Sequence, residues 1–524
     1  MRSEAEAGSV IAPPAKSSAS AGSWLLAAAL LSAVLLTLPA RTAGPLVLDE
    51  HVSYWIIEAG PPGDVWARCR RVAATPPLFS WVQQASVLAA GKSEWALRLP
   101  SLAGYVLAVL ATAVVGRRLA GPHVGGLAAL VLAWHPEVVD EVRIGRCYGL
   151  LLLLAALLLL ATLWWRERPI ALLRAGVWSL AAAAVVWTHY LGAPLVAMSW
   201  LTVGWPRPSG WKQVVAMLLG GAAFAVSVLP LLPAIERLAA WGPFLNYQLG
   251  SPSLGSLFGP FWWLGAPLAL VVAWFLSYLL SMHWPATKKW RSRLTAALSH
   301  PVWLPLLWSL LPLLMLYVAA QGDRSSLANP RYRVPYGVGA ACLMATALPT
   351  RRQPWLAASC AVLGLSVSWM MSERSPGTLG RLGESASSDW REIAATIETR
   401  GQAGEPVFVQ GGLVESHLVP IYCQDEVFLE YVACRMSRFY LPSPHPRYGL
   451  PFLWDSADVV ACFRQRIAAE LAQGQRVMWV ACATDSDLNR LSGDGLEHLL
   501  AEAGFVRTQE WTLTTAVLQR WEGP

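Results

Sequence analysis

The sequence predicts an all-α polytopic membrane bundle of about eleven transmembrane helices, followed by a small α/β domain outside the membrane. Two observations lead to this fold class. Of the 524 residues, 55% are hydrophobic and 14% are charged, with a mean hydropathy of +0.43, whereas soluble domains carry roughly 25% charged residues. Apolar runs also alternate with short polar connections up to residue 371. This composition excludes an ordinary cytosolic protein.

Each predicted span is an apolar run of about 20 residues. The runs lie near residues 23–40, 99–116, 124–139, 149–165, 170–187, 190–204, 213–232, 259–282, 301–320, 335–350 and 354–371. The first run could be a signal peptide, because Arg2 and Lys16 precede it. However, it is longer than a usual signal core and lacks a clean cleavage site before Gly44. We interpret it as a retained anchor, preceded by a disordered cytoplasmic leader over residues 1–22.

Charge distribution predicts the orientation. Lys and Arg total 40 against 33 Asp and Glu, a net charge of +7, and such a small surplus indicates cytoplasmic loops rather than a surface for nucleic acid. Basic loops that almost lack acids follow alternate spans, at residues 117–118, 166–168, 207–212, 288–293 and 351–352. They place the N-terminus in the cytoplasm and the C-terminal domain outside. We therefore expect a multi-pass protein of the plasma (inner) membrane.

Two long segments are predicted to lie outside. Residues 41–98 form a loop within the transmembrane domain 23–373, with helical stretches at 65–72 and 78–90 along the interface and Trp55, among others, at headgroup depth. Residues 374–524 have ordinary polarity and form the α/β domain, with helices at 390–398, 461–472 and 496–503 and strands at 406–410 and 476–481. Four of the eight cysteines lie there, where disulfides are allowed, but no pairing is predicted.

Short motifs follow one another in the outer loops. Two acids, Asp49 and Glu50, come directly after the first span, followed by a Pro-Pro-Leu stretch at residues 76–78 and a Ser-Glu-x-x-x-Arg-Leu-Pro stretch at residues 93–100. Later motifs lie at residues 146–150, 188–190, 331–335 and 389–391. This order resembles the polyprenyl-phosphate-sugar-dependent glycosyltransferases with the GT-C fold. The likeness is to the protein O-mannosyltransferases (family 39) and the aminoarabinose transferases.

The resemblance implies an activity, a donor and a partner membrane. Such an enzyme takes a sugar from a polyprenyl-phosphate donor in the bilayer and passes it to an acceptor, here an unknown protein, lipid or glycan. By resemblance it inverts the anomeric centre by direct displacement, so no covalent enzyme intermediate is expected. The competing hypothesis is a transporter or flippase of a lipid-linked sugar, which would need polar groups along a path through the membrane. The third hypothesis is a scaffold that only presents the outer domain.

Transfer of this kind needs a carboxylate to take the proton of the acceptor hydroxyl. Because the resemblance places the family's essential acid at Asp49, we predict Asp49 as the catalytic base. Glu50 is the near alternative, and it could instead be a structural acid anchored at the interface.

Cations must stabilise the leaving phosphate. Arg331 and Arg333, which flank Tyr332, could grip it bidentately, or they could simply extend toward lipid headgroups. The family also has an arginine before the fourth span. Both Arg143 and Arg146 could fill that place, since the local sequence departs from the family pattern.

Three further groups complete the predicted site. Lys92 and Glu94 could line the sugar pocket, although a structural helix start explains them equally well. Asp140 and Glu141 could form a second carboxylate pair that holds a divalent metal together with Asp49. No cofactor is certain, and the sequence does not name the sugar or the acceptor.

Overall fold

The computed structural model describes most of the chain. It covers residues 16–37, 44–168, 170–204, 210–245, 301–321, 329–348, 354–371 and 379–524, together with Arg324 and Leu327. The predicted span at 259–282 lies outside the described residues, as do residues 1–15 of the predicted leader. The first helix begins at Lys16, so residues 16–22, which were predicted to be disordered, are helical.

The N-terminal part of the described chain is α-helical. Its helices are α1 (Lys16–Thr37), α2 (Leu48–Ile57), α3 (Pro62–Arg68), α4 (Leu78–Ala90), α5 (Glu94–Ala120), α6 (Pro122–Ala133), α7 (Pro136–Val142), α8 (Tyr148–Glu167), α9 (Leu172–Thr188), α10 (Ala193–Val203), α11 (Trp211–Val228), α12 (Leu232–Leu245), α13 (Trp303–Ala319), α14 (Gly337–Ala347) and α15 (Pro354–Met371). A π turn at Cys69–Ala73 and 3-10 turns at Tyr190–Gly192, Leu229–Leu231 and Pro330–Tyr336 join several of them.

Three helical stretches within the described residues have the length and apolar composition of a full membrane span. They are Glu94–Ala120, Tyr148–Glu167 and Trp211–Phe244, and the last of these runs through α11 and α12. Shorter apolar helices cover most other predicted spans. The predicted run 124–139 is two helices, because Pro136 disfavours helical backbone at His135 and ends α6 at Ala133. The number of spans therefore stays a prediction.

Close approach of α5 and α8 positions the loop before α8. A Cβ on Gly104 of α5 would lie 2.6 Å from the backbone nitrogen of Leu150, so only glycine permits this spacing. Small residues allow membrane helices to pack backbone against backbone. The contact fixes the start of α8, and with it the preceding loop that carries Arg146.

The helices of the loop 41–98 pack on the C-terminal domain and not only on the bundle. Trp55 of α2 is fully buried and lies with its ring centroid 5.2 Å from that of Tyr431. Val65 and Cys69 belong to the same core, as does Trp241 of α12. The stretches predicted to be helical at 65–72 and 78–90 are helical. Trp55, which was predicted at headgroup depth, is covered by the C-terminal domain.

The C-terminal domain has a mixed five-stranded sheet flanked by helices. The strands are β1 (Val407–Gln410), β2 (Arg447–Gly449), β3 (Val477–Ala483), β4 (Val506–Thr512) and β5 (Ala516–Glu522), in the order β2-β1-β3-β5-β4. β1 pairs with β2 and β3 in parallel, whereas β5 pairs antiparallel with β3 and β4. The helices are α16 (Leu379–Arg400), α17 (Val419–Tyr422), α18 (Glu426–Val432), α19 (Ala457–Ala472) and α20 (Asp487–Glu502).

The small α/β domain predicted from the sequence is thus present, with its predicted helices and both predicted strands. Three strands were not predicted. β4 lies at an edge of the sheet and is almost wholly exposed, so it lacks the buried alternation that marks a strand in sequence. All eight cysteines are free thiols.

Candidate active site

Two adjacent acids at the start of α2 have opposite environments. Successive residues of an α-helix point about 100° apart, so Asp49 and Glu50 face different ways. The Glu50 side chain is completely buried, whereas the Asp49 side chain is 33% exposed. Only Asp49 is therefore accessible to a substrate.

Glu50 forms a buried ion pair with Arg98 of α5. Its Oε1 accepts from the Arg98 Nε at 2.7 Å and from the Gly145 backbone nitrogen at 2.6 Å. Its Oε2 accepts from the Arg98 Nη2 at 2.7 Å and from the Val47 nitrogen at 3.0 Å. A carboxylate with both oxygens engaged in this way is a poor candidate for a base. The prediction that Glu50 could be the base in place of Asp49 therefore does not fit its surroundings. Glu50 instead ties the start of α2 to α5 and to the loop before α8.

Asp49 lies among arginines from three other segments. Its Oδ2 accepts from the Arg331 Nη1 at 2.9 Å, and its backbone carbonyl accepts from the Arg146 Nη1 at 3.3 Å. Burial alone would raise the pKa of Asp49, but the positive charges of Arg146, Arg331 and Arg435 outweigh it and lower the pKa below its ordinary value. Asp49 is therefore ionised at neutral pH.

Arg331 stands on the 3-10 turn at residues 330–336. The Asn329 side chain caps this turn by accepting from the Arg331 backbone nitrogen at 3.2 Å. The guanidinium lies 5.2 Å from the Tyr332 ring, which in turn lies 5.7 Å from the His189 ring. The Nε of Arg331 is buried and has no hydrogen-bond partner among the described residues. Arg331 therefore keeps a donor that is not used by Asp49.

The structure separates the two arginines between which the sequence could not decide. Arg143 points away from Asp49: its Nε donates to the Leu36 carbonyl at the end of α1 at 2.8 Å, and its Nη1 lies 3.8 Å from Asp140. Arg146 faces Asp49. Of the two, Arg146 is the residue placed to act at Asp49.

The second carboxylate pair does not assemble with Asp49. Asp140 pairs with Arg143, and Glu141 is buried on the short helix α7. The described residues contain no group of three or more His, Cys, Asp or Glu side chains that could hold a metal ion. Because the neighbours of Asp49 are mainly arginines, the residues present do not fit a metal at this carboxylate.

Lys92 and Glu94 contact the C-terminal domain. The Lys92 Nζ donates to the Arg438 carbonyl at 3.1 Å. Glu94 Oε1 accepts from the Arg391 Nη2 at 2.6 Å and from the Tyr440 hydroxyl at 3.0 Å. These two residues, predicted to line a sugar pocket, instead join the loop 41–98 to the C-terminal domain. Arg333 is buried on the turn that carries Arg331.

Sequence reasoning missed two site residues from the C-terminal domain. Arg435 is buried, and its Nε donates to the Gly411 carbonyl at 2.7 Å while its guanidinium lies 4.9 Å from the Trp390 ring. Burial lowers the pKa of Arg435 to about 10, a value at which it keeps its positive charge at neutral pH. Glu415 is the second residue. No sequence signal marks either one, because more than 360 residues separate them from Asp49.

Glu415 belongs to the 3-10 turn Val414–Leu418. Its Oε1 accepts from the Tyr431 hydroxyl at 2.8 Å. Burial raises the pKa of Glu415 and the negative charge of Asp49 raises it further, while Tyr431 and Arg146 oppose the change. We refer to Asp49, Arg146, Arg331, Arg435 and Glu415 as the Asp49 cluster. Because three arginines surround Asp49, this cluster suits an anionic ligand.

Comparison with known protein structures identifies the fold of this chain. The chain matches the crystal structure of ArnT from Cupriavidus metallidurans bound to undecaprenyl phosphate, with a TM-score of 0.57 and 14% identity over 95% of this chain and 97% of that one. The chain has the GT-C fold. The apo structure of the same ArnT matches with a TM-score of 0.56 and 14% identity, over 96% and 98% of the two chains.

Two further comparisons give matches. Residues 74–233 match the family model of the dolichyl-phosphate-mannose-protein mannosyltransferases. The archaeal oligosaccharyltransferase AglB from Archaeoglobus fulgidus, in complex with an inhibitory peptide and a dolichol-phosphate, gives a TM-score of 0.47 at 11% identity, over 95% of this chain and 74% of that one. A comparison with curated protein sequences gives no match. The resemblance predicted from the sequence motifs is confirmed.

Proposed function

We propose that this protein is a membrane glycosyltransferase that moves a sugar from a polyprenyl-phosphate donor to an acceptor hydroxyl or amine on the extracytoplasmic side, with inversion. One observation carries the proposal. An accessible, ionised carboxylate, Asp49, lies 2.9 Å from the guanidinium of Arg331 at the end of an apolar helical bundle. This pair supplies a base and a phosphate-binding cation side by side, which is what the reaction needs.

The comparisons support lipid-linked sugar transfer in general. The matched ArnT was crystallised with undecaprenyl phosphate, and the family model that matches residues 74–233 describes enzymes that use dolichyl-phosphate-mannose. Neither the sugar nor the acceptor follows from these matches. The proposal for this chain therefore names the donor class and the reacting group of the acceptor, but no particular sugar or acceptor molecule.

In the proposed reaction, Asp49 takes the proton from the acceptor hydroxyl as that oxygen attacks the anomeric carbon. The bond between that carbon and the phosphate oxygen breaks at the same time, and the electron pair leaves with the polyprenyl phosphate. Attack from the side opposite the leaving group inverts the anomeric centre. A positioned general base typically contributes about 10²–10⁴-fold to the rate.

Arg331 connects the base with the leaving group. Its Nη1 holds Asp49 while its buried Nε has no partner among the described residues, so the Nε can donate to a phosphate oxygen. A phosphate at this position would draw part of the positive charge away from Asp49 and raise the pKa of that carboxylate. Donor binding would thus make Asp49 a stronger base. Arg146 adds a second cation next to the same carboxylate.

Replacing Arg331 with Ala should weaken donor binding about tenfold to a hundredfold, because charge-assisted hydrogen bonds to an ionised group contribute about 1.5–3 kcal/mol. The measurement is the equilibrium affinity of purified protein in nanodiscs for undecaprenyl phosphate. The control is Arg118→Ala, since Arg118 is exposed at the other end of α5 and pairs with Glu167. If both variants bind undecaprenyl phosphate as the wild type does, Arg331 does not grip the phosphate.

The orientation predicts that a tag placed after Pro524 reacts with a membrane-impermeant reagent in intact cells. The reason is the alternation of basic loops, which puts the C-terminal domain outside. A tag that reacts only after the cells are lysed would show that the proposed orientation is wrong.

The direct test of the function is a transfer assay with a panel of polyprenyl-phosphate sugars, run with and without chelator. The proposal expects at least one donor to release polyprenyl phosphate as its sugar moves to an acceptor, at the same rate when chelator is present. Translocation of a donor across the bilayer without cleavage would instead identify a transporter. Inhibition by chelator would show that a metal is needed.

A further inference from the structure

The C-terminal domain contributes two charged side chains of the Asp49 cluster. Arg435 lies on the turn Cys434–Met436, which packs against α2. Glu415 lies on the turn Val414–Leu418, which packs against α12. Asp49 is therefore enclosed by the membrane bundle on one side and by the C-terminal domain on the other.

Glu415 is held in a fixed position relative to Asp49. The Tyr431 hydroxyl donates to its Oε1 at 2.8 Å, and the Tyr431 ring lies 5.2 Å from the Trp55 ring. Trp55 stands on α2, the same helix that carries Asp49. Through the contact between Trp55 and Tyr431, the position of α2 thus determines where Glu415 lies.

The second oxygen of Glu415 differs from the first, because no described residue donates a hydrogen bond to it. Oε2 is buried and has no hydrogen-bond partner among the described residues. A buried acceptor without a partner costs about 1–3 kcal/mol, and more if it is charged. Such an atom next to a candidate active site is expected to meet a hydrogen-bond donor when a ligand binds.

The charges around Glu415 indicate which part of the donor it meets. A carboxylate repels a phosphate, so the phosphate belongs with Arg146 and Arg331. Glu415 nevertheless lies on the side of the site where the base stands, because it contacts Tyr431, whose ring packs against Trp55 on the helix that carries Asp49. Its electrostatic interactions with Asp49 and Arg146 agree with this position. The sugar lies between the base and the phosphate in the proposed reaction, and its hydroxyl groups are donors that a carboxylate oxygen accepts.

We propose that Glu415 binds a hydroxyl group of the transferred sugar, so that the C-terminal domain completes the active site. This inference rests on the proposed function, because it assumes a sugar donor at Asp49. It makes Glu415 a substrate-binding residue, and it makes Tyr431 and Trp55 positioning residues that act through it.

The test uses Glu415→Gln in the full-length protein, with a polyprenyl-phosphate sugar that the wild type uses. Whichever way the amide is oriented, the variant loses one of the two carboxylate acceptors. We expect the KM for the donor to rise about tenfold, the effect of one hydrogen bond to a charged group, while kcat falls by less. The affinity for undecaprenyl phosphate, which carries no sugar, should not fall below that of the wild type, because the loss of a carboxylate removes no contact with the phosphate.

Glu426→Gln is the matched control, because Glu426 is 81% exposed on the same domain and pairs only loosely with Arg466 at 3.7 Å. Tyr431→Phe keeps the charge of Glu415 but removes the bond that holds it, so we expect a smaller rise in the donor KM. If Glu415→Gln does not fold, Tyr431→Phe alone tests the inference.

Two results would overturn the inference. One is a donor KM in Glu415→Gln and Tyr431→Phe equal to that of Glu426→Gln. The other is a loss of affinity of Glu415→Gln for undecaprenyl phosphate that is as large as the rise in its KM for the donor, since that would assign Glu415 to the phosphate. Failure of the proposed function is distinct, because the wild type would then transfer no sugar from any donor.

Discussion

Replacing Asp49 with Asn should lower sugar transfer by about 10²–10⁴-fold, because an amide cannot accept the proton that the base removes. The fold should be unaffected. The Asp49 side chain is 33% exposed and its partner Arg331 is 30% exposed, and ion pairs this accessible contribute at most about 1 kcal/mol to stability. Turnover by purified enzyme, normalised to the folded fraction, measures the effect.

Asp64→Asn is the control for this substitution. Asp64 lies in the same loop between residues 41 and 98, on α3, and is exposed. We expect Asp64→Asn to transfer at the wild-type rate. The Asp49→Asn protein should still bind undecaprenyl phosphate, because Arg331 and Arg146 remain. Transfer within a few-fold of the wild type would remove Asp49 from the role of base.

Replacing Glu50 with Gln should destabilise the protein by about 3–5 kcal/mol, because the buried Arg98 loses the carboxylate that it contacts directly. Both side chains of this pair are almost completely buried, at 0% and 4% exposed. The amide also cannot accept all four hydrogen bonds that Glu50 now accepts. The melting temperature of purified protein in detergent, followed by intrinsic fluorescence, measures the loss.

Glu94→Gln provides the matched comparison. Glu94 also pairs with an arginine, Arg391, but the two side chains are 22% and 44% exposed, so its loss should cost about 1 kcal/mol or less. A double variant of Glu50 and Arg98 with apolar side chains should be more stable than the sum of the single changes predicts. Equal melting temperatures for Glu50→Gln and Glu94→Gln would contradict the structural role of Glu50.

The sequence predicted Asp49 as the candidate base, but it did not predict the environment that distinguishes Asp49 from Glu50. The position of both acids after the first span, and their resemblance to a family motif, pointed to the dipeptide as a unit. Arg98 was visible in the Ser-Glu-x-x-x-Arg-Leu-Pro motif, yet nothing in the motif shows that it pairs with Glu50. That pairing depends on how α2 meets α5, which is a tertiary property.

The contribution of the C-terminal domain could not be predicted for the same reason. Glu415 and Arg435 lie in short turns with no periodic pattern, and they interact electrostatically with Asp49 only because these turns pack against α12 and α2. The helical bundle was easier to predict, since long apolar runs report directly on membrane helices. The break at His135 and Pro136 was visible as a proline, but the apolar run around it concealed the helix end.

The central claim is that the two neighbouring acids have different tasks: Asp49 performs the chemistry and Glu50 holds the site together. The most direct measurement compares the turnover of Asp49→Asn and Glu50→Gln per folded molecule, with one donor and one acceptor. The account predicts a loss of about a hundredfold or more for Asp49→Asn and a loss below about tenfold for Glu50→Gln. The reverse order, with Glu50→Gln inactive and Asp49→Asn active, would contradict it.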